Sequence, residues 1–148
     1  MNIAVLKSEI ESDPLEYGYS EMTDQEIVDS LNTVDISIYQ SISSAELLAW
    51  SGNNSRYMKL KNASEDTENT DAIRSICFTA LEMIKRDETS LDLNLSDRVA
   101  MLDALISASV LEASDKTALE TLATTTISRA TQLGLSFVRM GDIQEAKI

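Results

Sequence analysis

At 148 residues the chain is long enough to bury a core without metal or disulfide staples, and its 43% hydrophobic and 25% charged residues are ordinary proportions for a soluble globular protein. The charge balance is unusual: 25 Asp and Glu against 12 Lys and Arg leave −13, which disfavours nucleic acid or an anionic membrane as a partner. The absence of histidine excludes Ser–His and Cys–His nucleophiles and any metal site that needs imidazole, and the single Cys77 excludes an internal disulfide.

In chain order, Met1–Glu11 places Ile3, Leu6 and Ile10 on one helical stripe. Asp13-Pro14 stops that helix, because proline drives the preceding residue out of helical geometry. Glu16 to Met22 reads as a loop. Thr23-Asp24-Gln25-Glu26 is a capping box opening a helix through Ile27, Val28 and Leu31, which ends at Asn32-Thr33. The alternation of Ile36, Ile38 and Ile42 with polar residues fits a short strand, an extended link or a helical turn. A second capping box, Ser43 to Glu46, opens a helix bearing Leu47, Leu48 and Trp50 that breaks at Gly52-Asn53-Asn54. A short helix carries Tyr57, Met58 and Leu60, and Asn62–Thr70 is a polar, acidic loop.

The second half has the stronger pattern. Ile73, Ile76, Cys77, Ala80, Leu81 and Ile84 form a core-facing stripe, capped by Asn69 or Thr70. Ser96 is expected to cap a helix using Val99, Leu102, Leu105 and Ile106. Ser114 is expected to cap one that carries Leu119, Leu122, Ala123, Ala130 and Leu133 inward to a left-handed Gly134. Asp142 is expected to cap a last short turn. Together these predict an all-α fold: a single compact bundle of about six amphipathic helices over 1–148, with an acidic part at 1–40 and a helical core at 70–135.

The charges are unevenly spread. Residues 1–40 hold nine acids and one base, Lys7, whereas 41–64 hold Arg56, Lys59 and Lys61 against Glu46. The first ten residues lack the apolar stretch of a signal peptide, and no run approaches the length of a membrane span. The expectation is a product made in the host cytoplasm, so the glycosylation-like triplets at Asn53, Asn62 and Asn94 are chance matches.

The search for chemistry yields little. Four scattered glycines supply no phosphate-binding loop. Asp92-x-Asn94-x-Ser96 starts like a calcium loop but lacks the glycine and the distant glutamate, and Glu65 to Glu68 is a solvated acidic cluster. Cys77, well inside an apolar stripe, reads as a small buried hydrophobe. No catalytic, cofactor-binding or metal residue, no cofactor and no small-molecule substrate is expected. The remaining candidates are the aromatic and basic residues Tyr17, Tyr19, Trp50, Arg56 and Tyr57, at element edges and of types that anchor protein interfaces.

Both ends carry further patterns. Leu6-Lys7-x-Glu9, Asp13-Pro14-Leu15-x-x-Gly18-Tyr19, Met22-Thr23-Asp24 and Asp29-Ser30-Leu31-Asn32-Thr33 lie at one. Ser128-Arg129-Ala130, Leu133-Gly134-Leu135 and Val138-x-x-Gly141-Asp142-Ile143-x-x-Ala146 lie at the other. With Ala45 to Trp50 and Met101 to Leu105 between them, the chain resembles a family of small, functionally unassigned proteins encoded in the structural-gene regions of tailed phages. It departs at Glu16, where a basic or small residue is expected.

The resemblance implies a non-enzymatic virion component on the capsid, at the head–tail connection or in the tail, with other virion proteins and copies of itself as partners. The alternative is an acidic helical regulatory or host-takeover protein that binds a host factor. Arg129, on the outer side of its stripe, is expected to pair with an acid of the N-terminal region.

Overall fold

The computed structural model describes residues 1–86 and 90–148. The chain is predominantly helical, with two small two-stranded sheets, and its contacts divide it into two compact units. Unit 1 combines Met1–Ile38 with Thr126–Ile148, and unit 2 is the continuous stretch Tyr39–Thr125 between them. The two units have separate buried cores.

Unit 1 begins with α1 (Ile3–Ser12), started by the Asn2 side chain accepting from the Val5 N–H at 3.3 Å. It ends where Asp13 turns left-handed, at φ 40°, immediately before Pro14. The Asp13 carboxylate then accepts the N–H groups of Tyr17, Gly18 and Tyr19 at 2.8, 2.7 and 3.3 Å, so one side chain organises the loop. Gly18 makes this possible by adopting φ 83°. Helix α2 (Asp24–Asn32) starts with the expected capping box, in which Glu26 reaches back to the Thr23 N–H at 2.8 Å.

Strand β1 (Val34–Tyr39) settles the ambiguous alternating segment as extended, with Ile36 and Ile38 half-buried between exposed neighbours. It pairs with β4 (Thr124–Ser128). Helix α8 (Arg129–Gln132) follows, capped by Ser128 and closed by Gly134 at φ 70°. There the Gly134 and Leu135 N–H groups bond back to the Thr131 and Ala130 carbonyls, a Schellman arrangement. Helix α9 (Met140–Ala146) starts with the Asp142 carboxylate reaching back to the Arg139 N–H, so Asp142 stands three residues inside the cap position expected for it. Leu6, Tyr19, Ile27, Leu31, Val138 and Ile143 form the centre of this core.

Unit 2 pairs β2 (Ile42–Ser43) antiparallel with β3 (Ser90–Leu91), Ile42 facing Leu91. Helix α3 (Ser44–Gly52) uses the second capping box, and α4 (Arg56–Glu65) packs extensively on α5 (Asp71–Lys85). Thr70 caps α5, whose stripe buries Cys77, Leu81 and Ile84. Helix α6 (Ser96–Ser107) begins one residue early, with Leu95 in the cap position, and α7 (Ala113–Ala123) completes the unit. Leu47, Leu60, Leu105, Leu119 and Ala123 are at its centre, each almost fully buried, and full burial of such a leucine contributes roughly 1.5–3 kcal/mol.

The all-α expectation is corrected by the strands, since among the described residues β1 pairs with β4 and β2 with β3, and β4 lies where a helix is expected. The stripe from Leu119 to Leu133 is not one helix, because Thr124–Ser128 is a strand. Three consecutive threonines and Ile127 are β-branched, and such side chains lose rotamer freedom in a helix but fit a pleated strand. Leu122, in the last turn of α7, is at the edge of the buried face and 37% exposed, while Leu119, Ala123 and, beyond the strand, Ala130 are buried. Nor does Ser114 cap α7. Glu112 occupies that position, and its N–H is accepted by Asp115 at 2.9 Å.

Candidate functional site

The predicted aromatic and basic residues fall into two groups, each in the core of one unit and each organised by a buried carboxylate. In unit 1, α1 carries Glu9 inward on the face that buries Leu6. Its two oxygens accept from Arg129 Nε and Nη2, both at 2.7 Å, in a fork-to-fork pair. The two side chains are 3% and 11% exposed, so this is an interior ion pair. The acid expected to pair with Arg129 is thus Glu9.

Tyr19 is buried with its hydroxyl 3.5 Å from Glu9 Oε1, and burial, then the neighbouring Glu9 charge, pushes its pKa well up. Tyr17 is half-buried and meets Tyr19 edge-on, ring centres 5.7 Å apart. Bonding to Glu9 raises the pKa of Arg129 further. This network holds the Asp13 loop, α1 and α8 together.

In unit 2 the organising acid is Asp115, fully buried at the third position of α7. It accepts from Arg56 Nε at 2.6 Å, Asn54 Nδ2 at 3.2 Å and the Glu112 N–H at 2.9 Å. Burial by itself raises its pKa, but the Glu112 N–H, Arg56 and Asn54 together outweigh that and hold it below 3.8. Arg56 also donates to the Trp50 carbonyl at 2.9 Å and lies 5.1 Å from the centre of the Trp50 ring. Trp50 Nε1 donates to the Asp115 carbonyl at 3.1 Å. Tyr57 packs half-buried against the same core. Lys59 lies 3.6 Å from Glu112 and 3.9 Å from Asp115, so two of the three cations of the Arg56–Lys61 segment are turned to carboxylates.

Above this network Trp50 and Arg56 contribute to the floor of an open groove between α3 and α7, about 380 Å³ in volume, walled by Ala49, Ala118, Thr121 and Leu122. The partly exposed Leu122 is thus a wall of the groove. Tyr17 and Tyr19 belong to unit 1 and are not among its lining.

Two features lie outside the sequence expectations. Asn32 accepts the Val138 N–H at 3.0 Å and donates to the Val138 carbonyl at 2.8 Å, its side-chain amide acting as a short piece of strand. Asp115 looked like one acid among many; a carboxylate three residues after the true cap was its only mark. Asp92 and Asn94 bond to each other at 2.8 Å at the start of α6, and no group of three or more acids or cysteines able to hold a metal occurs among the described residues. Also among them, no helix is long and apolar enough to cross a membrane.

Cys77 is buried, and burial raises its thiol pKa. Every buried side-chain nitrogen and oxygen among the described residues has a hydrogen-bond partner. The arrangement can fix backbone and present surface. No family model, no curated protein and no solved structure matches the chain.

Proposed function

We propose that the protein is a non-enzymatic structural component of a tailed-phage virion, on the capsid, at the head–tail connection or in the tail, acting through contacts with other virion proteins and with its own copies. One observation carries most weight. Apart from Ala45 to Trp50 and Met101 to Leu105 in unit 2, the residues by which the chain resembles phage structural-region proteins lie in unit 1 and build it. Glu9 and Arg129 form its ion pair, Asp13, Gly18 and Tyr19 its loop, and Asn32 locks the backbone at Val138. Gly134 closes α8. Such residues maintain a shape that partners recognise, and none is held ready for a reaction.

Exposed apolar side chains supply the means of contact: Phe137 in unit 1 is 69% exposed and Phe78 in unit 2 is 62% exposed. Symmetric virion positions would use the protein in several copies. Quantitative mass spectrometry of purified particles is the test. The expected result is a fixed copy number relative to the major capsid protein, and absence from particles overturns the proposal.

The regulatory alternative draws on the exposed acids of unit 1, among them Glu11, Glu16, Glu21, Asp29 and Asp35. Recovery of a single host factor from lysate, together with absence from particles, would favour it.

A further inference from the structure

Unit 2 contains a pocket unlike its groove. It has a volume of about 60 Å³ and exposes no polar atom to its interior. Leu47, Leu105 and Leu119 at its base are almost fully buried, whereas Met83, Arg98 and Met101 are half-buried, which places its mouth on the side of α5 and α6. A water needs roughly 10–15 Å³ of such space and two to four polar partners, so this pocket has room for water but nothing to hold it. An alkyl group suits it.

Arg98 sets the chemistry of the mouth. Its carbon stem lines the pocket, and its Nη1 has the Met101 sulfur at 3.9 Å as its neighbour. No carboxylate lies within ion-pair distance of it among the described residues, whereas Arg56, Arg74 and Arg129 each have one. The adjacent Asp97 carboxylate accepts from the Arg98 backbone N–H at 2.9 Å. Arg98 also stands in the first turn of α6, where the helix dipole adds positive potential.

We propose that this pocket binds a small amphipathic anion, an alkyl carboxylate whose tail enters between α5 and α6 and whose head pairs with Arg98. The site shares Trp50 with the Asp115 network but none of its charged groups, and it does not depend on the virion reading.

The test uses the full chain with methyl-labelled methionine, titrated with octanoate, octanol and octylamine below their aggregation concentrations. Octanoate should shift the Met83 and Met101 methyl signals saturably. Octanol should bind about tenfold more weakly and octylamine not measurably, since a charge-assisted hydrogen bond is lost and then a like charge is introduced. Arg98→Gln should bring octanoate down to the level of octanol and leave octanol unchanged. Ala80→Leu, which fills the pocket, should abolish both without lowering the unfolding midpoint. Equal binding of the three probes, no shift at Met83 and Met101, or an unchanged octanoate affinity in Arg98→Gln overturns the proposal.

Discussion

Replacing Arg129 by alanine should cost unit 1 far more than loss of an ordinary salt bridge. An exposed ion pair contributes about 0–1 kcal/mol. Here the Glu9 side chain is 3% exposed and Arg129 supplies both of its strong donors at 2.7 Å. With Arg129 removed, the Tyr19 hydroxyl at 3.5 Å is the remaining hydrogen-bond contact of the carboxylate, too distant to replace two charged donors. Leaving one buried charge without its partner costs roughly 3–5 kcal/mol, a large share of the 5–15 kcal/mol that stabilises a typical domain.

The assay is urea unfolding at pH 7 followed by circular dichroism, with hydrogen exchange at the amides of Leu6, Ile27 and Ile143 reporting on this core. Glu9→Gln should also destabilise, because it leaves the guanidinium unpaired. The double variant Glu9→Leu with Arg129→Met removes both charges and should recover much of the loss that Glu9→Leu and Arg129→Met each cause alone, giving a coupling above about 1 kcal/mol. A loss below about 1 kcal/mol for Arg129→Ala would refute the reasoning. So would a double variant that falls by the sum of the two single changes.

Asp115 gives a pH signature. Its folded pKa is depressed, so its stabilising contribution is complete above about pH 4 and fades as pH falls through the folded value. Asp115→Asn should cost about 3 kcal/mol at pH 7, with the gap to wild type narrowing below pH 4 in paired urea titrations; a gap independent of pH would contradict this. Ser109 closes α6 in a left-handed conformation at φ 60°, with its N–H on the Ile106 carbonyl and that of Val110 on Leu105. Ser109→Gly should therefore stabilise by roughly 0.5–1 kcal/mol in thermal melts, since glycine adopts this geometry without a Cβ clash.

Sequence patterns reveal best what is local. Both capping boxes, the Thr70 cap, the Gly134 closure and the Ile73–Ile84 stripe each depend on residues within a few positions of one another, and the structure contains them all. Cys77 is the buried thiol its place on that stripe implies. Long-range partners are what one-dimensional patterns miss. Asp115 is buried because Arg56, 59 residues earlier, folds onto it. Asn32 bonds a backbone 106 residues away. Nothing near either residue announces its partner. The lost helix over Thr124–Ser128 is different, since its signal was present: three threonines in a row and Ile127, all β-branched, outweigh a stripe that keeps helical phase across them.

The distribution of these long bonds has a consequence for folding. Unit 1 is closed by contacts spanning more than a hundred residues: Glu9 with Arg129, Asn32 with Val138, and Asp24 with Lys147 at 2.6 Å. Forming them around a disordered stretch of about 87 residues, the length of unit 2, costs on the order of 4 kcal/mol in loop entropy before any constant term. Unit 2 is continuous and built largely from neighbours such as α4 against α5, so its local contacts can form first and shorten its own long closures, such as Arg56 with Asp115 across 59 residues. If unit 2 orders first, the loop that unit 1 must close is shortened, and the Glu9–Arg129 pair then acts on an encounter already made probable. The buried ion pair would therefore form late. Arg129→Ala should accelerate unfolding more than it slows refolding, the expected behaviour of contacts absent from the transition state.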